Sequence, residues 1–581
     1  MPGISALMET GMFLQRFSLP ALLLALCVAA PATAFQAPPA PEGNTGRYEL
    51  STASAGNAMV VTAHPLASAA ARDMLWAGGS AIDAAIAAQA VLGLVEPQSS
   101  GFGGGGFIVY HDGKKTLSFD GRETSPALAR GNRFLDTQGR PLPFYTAVAS
   151  GLGVGVPGLI AALEENHRRY GRLPWKTLFE PAIRHARDGF PVSPRLHALI
   201  ARDRLLAQKT HARDYFLQAD GTPQPVGHML RNPAYADALT RIADGGAKEF
   251  YRGKLMQELV KSLAIEGADL TEDDWRNYRA RISPALCHPY RQYTVCTAPP
   301  PAGGLSVLQT LAILDGFGRV NDPALTLHRL TEAERLSFAD RQRYSADPQL
   351  VPVPVNGLLN ADYIRARRAL IGENSMGRAE AGVPPGLSAP WGQDGQLLEN
   401  GTTQIVIADA RGHWLSLTSS IEDAFGSRLL VNGMLFNNQL TDFSFSPSEG
   451  GRPLANRVQG SKRPRSAMSP VIVLDENKRA VLALGSPGGS RIIGYVLRAL
   501  TASIDDGLSP AETVQLSHVL SRNGNTEIDS DLAPELREGL RARGHVLEPA
   551  DMNSGLGIIR RQYGQLHGAA DPRREGRAIG F

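Results

Sequence analysis

Two short β-rich apolar runs, 404–408 and 414–418, flank Asp409-Ala410-Arg411-Gly412 and constrain this chain more than any other feature. Runs of this kind around a turn signal predict a β-hairpin. Its first strand opens on Thr402-Thr403, directly after Asn400-Gly401. Read alone, a Thr-Thr pair at a strand start reflects β-propensity. It also suits a nucleophile that becomes a new N-terminus. If the chain is cut before Thr402, one residue carries both a hydroxyl and a freed α-amine, with a reference pKa of about 7.7–8.0. That amine can act as base for the hydroxyl, the pairing used by N-terminal threonine nucleophiles. Gly401, being unbranched, leaves the attacking hydroxyl room.

Further motifs follow in order. Thr418-Ser419-Ser420-Ile421-Glu422-Asp423-Ala424-Phe425-Gly426-Ser427-Arg428 leads to Phe436-Asn437-Asn438-Gln439-Leu440-Thr441-Asp442-Phe443-Ser444. Lys462-Arg463-Pro464-Arg465-Ser466-Ala467-Met468-Ser469-Pro470 and Gly485-Ser486-Pro487-Gly488-Gly489-Ser490-Arg491-Ile492 come next. The N-terminal half adds Gly78-Gly79-Ser80-Ala81-Ile82-Asp83-Ala84-Ala85, the glycines 103–106 with Phe107, and Arg122-Glu123. Together these motifs resemble the γ-glutamyltranspeptidase family of N-terminal-nucleophile hydrolases, over most of the chain after residue 50.

The resemblance implies an α/β fold, a four-layer αββα sandwich, that processes itself into a large subunit, 35–401, and a small catalytic subunit, 402–581. It implies Thr402 as nucleophile, with Gly401 and Thr402 as the cleavage site. Ser420 stands where the family usually carries a second threonine bonded to the nucleophile, and keeps the hydroxyl. Gly488 and Gly489 match the oxyanion-hole positions, where backbone N–H donors contribute roughly 3–4 kcal/mol each to acyl transfer. Arg122 matches the carboxylate-binding arginine, whose guanidinium can bind bidentately. Ser466 matches a serine that bonds the same carboxylate, and Asp442 with Gln439 the acceptors for the substrate's α-ammonium group. Four positions depart from the pattern. Ala467 replaces a common serine, Glu422 an asparagine, and Ser427-Arg428 a Thr-Gly pair; Glu422 would strengthen ammonium binding, and Arg428 would either restore carboxylate binding or pair with Glu422. No tyrosine between 442 and 466 matches the family's lid residue.

Along the chain, helical periodicity marks 65–76, 80–94, much of 157–280, 305–314, 327–339 and 494–502, with a strand at 107–110 and mostly strands from 402 to 485. The glycines 103–106 lack a following Gly-Lys-Ser/Thr and a helix, so they serve close backbone approach rather than phosphate binding. Residues 374–398, rich in Gly, Pro, Ser and charge, read as an exposed linker before the proposed cut. At the start, Arg16 precedes an apolar run, 17–30, and Ala32-Thr33-Ala34, a secretory signal over 1–34. Residues 35–50 read as a disordered lead-in. The run is too short for a membrane span of about 20 residues. An exported, periplasmic or secreted protein is therefore expected, with no stable span once the signal is removed. A net charge of +3 over 581 residues makes no case for nucleic acid.

Of three cysteines, Cys27 leaves with the signal. Cys287 and Cys296 lie in a predicted hairpin, 286–297, with Arg291-Gln292 midway. A two-residue turn there makes Tyr290 face Tyr293 and Cys287 face Cys296. If the tyrosine pair is hydrogen-bonded, alternation makes the cysteine pair non-hydrogen-bonded, with Cα atoms about 4.5 Å apart. A disulfide is therefore predicted. No Cys/His cluster has zinc spacing, so no metal is expected, and hydroxyl, amine and oxyanion hole require no cofactor. The expected activity is transfer of a γ-glutamyl group from glutathione or a related amide to water or to an amino acid or peptide. Two rivals are a glutaryl-type (cephalosporin) acylase on the same scaffold and a non-catalytic binding homologue. The Asp442 and Glu422 carboxylates argue against the acylase, where both would face nothing positive. The intact Gly401-Thr402 junction argues against the binding protein.

Overall fold

The structure is a computed structural model that describes residues 42–387, 391–395 and 401–581. The expected signal, residues 35–41 of the lead-in, Asn400 and parts of the expected linker lie outside the described residues, whereas 42–50, read as disordered, packs against the fold, with Glu42 buried and the Tyr48 N–H donating to the Pro572 carbonyl at 2.7 Å.

Two seven-stranded sheets organise the chain. The first, called here the Thr402 sheet, runs in spatial order Arg577–Gly580, Met59–Thr62, Gly401–Ala408, Trp414–Glu422, Gly105–His111, Thr116–Gly121 and Arg281–Pro284. The second, the Cys296 sheet, runs Ser51–Ala55, Gln565–Ala570, Gly557–Gln562, Ala480–Gly485, Val471–Leu474, Tyr293–Thr297 and Leu286–Tyr290. Every pairing within these two sheets is antiparallel. Both contain strands from before Gly401 and from after Thr402.

The period of two along each strand produces the layering. On the Thr402 sheet, Val60, Ile108, Ile405, Ile407, Leu415 and Leu417 share one buried cluster with the helices Pro65–Trp76, Ala81–Val95 and Leu159–Tyr170. The alternate residues Met59, Val61, Phe107, Val109, Val406 and Ala408 share another with Leu482, Leu484 and Ile558 of the Cys296 sheet. That second cluster continues to Val307, Leu311, Leu336, Val496 and Leu500 on the helices Gly304–Asp315, Pro323–Tyr344 and Ile492–Ile504. Fully burying each such aliphatic side chain contributes about 1.5–3 kcal/mol.

Local signals explain the element ends. Ser80 and Asp83 form a capping box at the start of Ala81–Val95, which is buried at all but one of its positions, Gly93. Asp322 caps Pro323–Tyr344 and accepts from the Leu325 N–H, so this helix is longer at both ends than the 327–339 periodicity suggests. The glycines 103–106 do serve close approach. A Cβ on Gly103 would overlap the Leu435 carbonyl oxygen, and one on Gly104 the Ser420 carbonyl oxygen.

Two further expectations need correction. Between Glu422 and Val471 the chain is mostly irregular, with only two-residue pairs such as Leu430–Val431 with Met434–Leu435 and a short 3₁₀ turn, Gln439–Asp442. Here buried side-chain amides take over from strand ladders: Asn437 Nδ2 donates to the Gly103 and Gly155 carbonyls, and Asn456 Nδ2 to the Asp442 carbonyl. The stretch 374–398 is not simply an exposed linker either. Trp391 and Asp394 within it are buried, and Asp394 pairs with Arg465 at 2.9 Å. Among the described residues, no helix is long and apolar enough to cross a membrane.

The hairpin 286–297 has the register read from spacing. Tyr290 faces Tyr293, Cys287 faces Cys296, and Arg291 takes the turn at φ 54°. The cysteine Cα atoms are 4.1 Å apart and their sulfurs 2.06 Å apart, a disulfide.

Candidate active site

The hairpin carrying Thr402 is paired in register from Ala408–Trp414 back to Thr403–Ser419, and then Gly401 faces Glu422. Between those last two pairs the first strand advances two residues and its partner three, so Ser420 and Ile421 together oppose Thr402 in a β-bulge of the partner strand. Bulges of this kind re-aim a side chain. The Thr402 hydroxyl donates to the Gly401 carbonyl oxygen. Ser420 Oγ donates to the same oxygen at 2.5 Å and accepts from the Glu422 N–H at 2.8 Å. Thr403 is engaged elsewhere, its hydroxyl bonding Glu96 Oε2 at 2.7 Å. Gly401 has no space for a side chain, since a Cβ would lie 2.6 Å from the Glu422 carbonyl oxygen and 2.8 Å from Glu42 Oε1.

Beneath this junction lies a buried charge network that sequence reading did not find. Arg574 donates to the Thr402 carbonyl at 3.0 Å and to Glu42 Oε2 at 2.6 Å. Arg195 reaches the same Glu42 oxygen at 3.3 Å, and both arginines approach Glu96, at 3.4 and 3.9 Å. Burial pushes the Glu96 carboxyl up to about 7, with Arg574 and Arg195 opposing the shift. No local pattern announces these four residues, which come from four distant parts of the chain.

A second group gathers around Arg122. Its buried guanidinium donates through Nη2 to Asp442 Oδ2 at 2.5 Å and to the Arg465 carbonyl at 2.7 Å, and through Nε to the Pro464 carbonyl at 3.1 Å. Gln439 Nε2 donates to the same Asp442 oxygen at 2.8 Å. Glu123 stands 3.5 Å from Arg122, and burial pushes its carboxyl up to about 8. Ser466 closes the strap 464–466, its N–H donating to the Pro301 carbonyl and its hydroxyl accepting from Met468 N–H. Asn438 joins the two groups, since its Nδ2 donates to Glu422 Oε2 and its N–H to the Ile421 carbonyl.

Arg428 takes partners other than the Glu422 considered for it. It pairs with Asp203 and Asp423, each at 2.6 Å, and not with Glu422. Arg428 and Gly426, two residues before it, both take positive φ, 61° and 57°.

The turn at Gly488 and Gly489 takes left-handed φ values of 127° and 62°. A Cβ on Gly488 would enter the Tyr495 ring. Neither N–H makes a hydrogen bond among the described residues. Pro487 and Arg574 both border Gly555, which places this turn beside the arginine that holds Thr402.

Among the described residues, one cluster of metal-ligating side chains emerges that spacing did not suggest. His328, Glu332 and His545 bring ligand atoms within 4.8 Å of one another. Each already has protein partners. His328 Nδ1 meets His545 Nε2 at 2.8 Å, His328 Nε2 meets the Gly372 carbonyl, His545 Nδ1 meets Thr526, and Glu332 accepts from Arg335, Ser375 and Met376.

Comparison with known proteins gives a consistent picture. The model of the family described as Gamma-glutamyltranspeptidase matches residues 67–581. A glutathione hydrolase proenzyme of Bacillus subtilis (strain 168) is 37% identical over 547 residues, covering 90% of this chain and 91% of the relative. One from Escherichia coli (strain K12) is 33% identical, covering 97% and 98%. Among solved structures, a cephalosporin acylase from Bacillus halodurans superposes with a TM-score of 0.81 at 27% identity, covering 95% of this chain and 99% of that one.

Proposed function

The chain belongs to the γ-glutamyltranspeptidase family, and from that premise we propose that it is an exported, self-processing γ-glutamyltransferase and glutathione hydrolase. The observation that carries this reading is the Gly401 carbonyl held by two hydroxyls, those of Thr402 and Ser420. The Ser420 donor polarises the carbonyl that Thr402 Oγ1 attacks. The hydroxyl proton passes to the Thr402 nitrogen as its C–N bond breaks and an ester forms, and water then hydrolyses the ester, restoring the hydroxyl and releasing the Gly401 carboxylate. Two subunits result, 35–401 and 402–581, in which the two sheets and their helices make a four-layer αββα sandwich. The secretory pattern at 1–34 supports export to the periplasm or medium.

In the mature protein the freed α-amine takes the Thr402 hydroxyl proton as Oγ1 attacks the γ-carbonyl of glutathione or a related amide. The N–H groups of Gly488 and Gly489 stabilise the oxyanion, and the proton passes to the departing amine. Water, or the amine of an amino acid or peptide, then takes the γ-glutamyl group from the ester. Hydroxyl, amine and oxyanion hole supply the chemistry without a cofactor. The Arg122–Asp442 pair opens to the substrate's α-carboxylate and α-ammonium, with Gln439, Ser466 and Glu422 beside them. An amino acid presents both charges to such a pair, whereas a glutaryl group leaves Asp442 and Glu422 without a new partner.

The acylase remains the second reading, favoured by the likeness to the Bacillus halodurans enzyme. Asp442 does meet a cation, Arg122, so its charge weighs less against that reading than the sequence suggested. Purified processed protein decides between them when offered a γ-glutamyl anilide and its glutaryl counterpart. Release from the γ-glutamyl compound at least ten times faster is expected. Equal or faster release from the glutaryl compound would overturn the assignment.

A further inference from the structure

Glu42 stands beside the Gly401–Thr402 junction, and its two oxygens differ completely in their surroundings. It is only 1% exposed. Oε2 receives Arg574 at 2.6 Å and Arg195 at 3.3 Å, while Asn553 Nδ2 anchors the Glu42 carbonyl at 2.7 Å. Oε1 is buried and has no hydrogen-bond partner among the described residues. That same oxygen lies against Gly401, 2.8 Å from where a Cβ on this residue would stand. A buried carboxylate oxygen without a donor costs free energy in the uncut chain. Scission supplies a donor at this place, because a neutral peptide N–H on Thr402 becomes an α-ammonium group.

We propose that Glu42 is a positioning residue that holds the Thr402 α-ammonium created by self-cleavage and thereby sets the pH above which that amine serves as base. The inference rests on the maturation reading above. The charge balance around the junction favours it. In the uncut chain Glu42 and Glu96 face Arg195 and Arg574, and Glu422 lies on the paired strand opposite Gly401, held by Asn438. The two arginines already share Oε2, so the new cation meets Oε1. When Gly401 leaves as a carboxylate, the volume beside Oε1 opens to the amine. An ionised partner favours the charged form of the amine, which must lose its proton to act. Activity therefore falls as pH drops through the amine's pKa, and Glu42 moves that acid limb upward. Glu42 also ties the N-terminal segment, eight residues past the expected end of the signal, to the nucleophile.

The test uses the full-length precursor, wild type and Glu42→Gln, each sized by mass and then assayed for kcat/KM against pH. An opposite charge at this range shifts a pKa by about 1–3 units. Processed Glu42→Gln is accordingly expected to show its acid limb at least about one unit lower, with relative activity roughly tenfold higher than wild type at pH values well below both limbs. An unchanged limb overturns the proposal. If Glu42→Gln fails to fold or process, the wild type itself decides, through pH-dependent acetylation of the small subunit's Thr402 amine read by mass. Titration above the ordinary α-amine range of about 7.7–8.0 supports Glu42, and titration at or below that range overturns it. A wild-type chain with no terminus at Thr402 contradicts maturation first, and Glu42's role with it.

Discussion

Arg122 shows how much a single side chain can be asked to do. It is fully buried and holds Asp442 and two backbone carbonyls. Removing one partner of a desolvated charge pair costs about 2–5 kcal/mol. Arg122→Ala is therefore expected to process and then to show KM for γ-glutamyl substrates raised at least thirtyfold, checked by steady-state kinetics on the processed variant. Unchanged KM would remove Arg122 from the site. At this scale motifs were readable and networks were not. Thr402, Ser420 and the Asn438–Asp442 turn sit in contiguous stretches of sequence. Glu42, Glu96, Arg195 and Arg574 meet only because the fold brings them together. The pairing of Arg428 with Asp203, 225 residues away, was hidden for the same reason.

Among the elements, the two hairpins were legible because period-two alternation and a turn signal fix register. The 286–297 hairpin carries the Cys287–Cys296 pair at the register counted from Arg291-Gln292. Thiol titration of denatured, unreduced mature protein is expected to find no free thiol; two per molecule would contradict the pairing. The closed loop is short, so reducing it should cost at most about 2–3 kcal/mol. Helices with clear caps were legible to within a few residues, as Ala81–Val95 shows with Ser80 and Asp83. The region between Glu422 and Val471 was not. Its apolar residues resemble strand formers, but Asn437, Asn438 and Asn456 satisfy backbone groups that a ladder would otherwise pair. Trp391 and Asp394 were masked by the surrounding glycine and proline, which mark a loop without revealing what it packs against.

At the scale of the molecule, the position of Gly401–Ala408 matters most. It pairs with Met59–Thr62 on one side and Trp414–Glu422 on the other, inside a seven-stranded sheet. Both sheets interleave strands from the two sides of the proposed cut, so scission at its N-terminal end leaves nearly all pairing intact. Helix and strand content follow from periodicity, whereas the stacking of two antiparallel sheets depends on pairings as distant as Ser51 with Ala570. The central claim is that the chain cuts itself before Thr402 by means of that residue's hydroxyl. Intact mass under denaturing conditions, set beside native size-exclusion, tests it on wild type and Thr402→Ala produced identically. The account predicts two wild-type fragments, one beginning at Thr402, that travel as one species when native, and a single uncut Thr402→Ala chain without activity. Thr402→Ala chains cut at the same bond would contradict it.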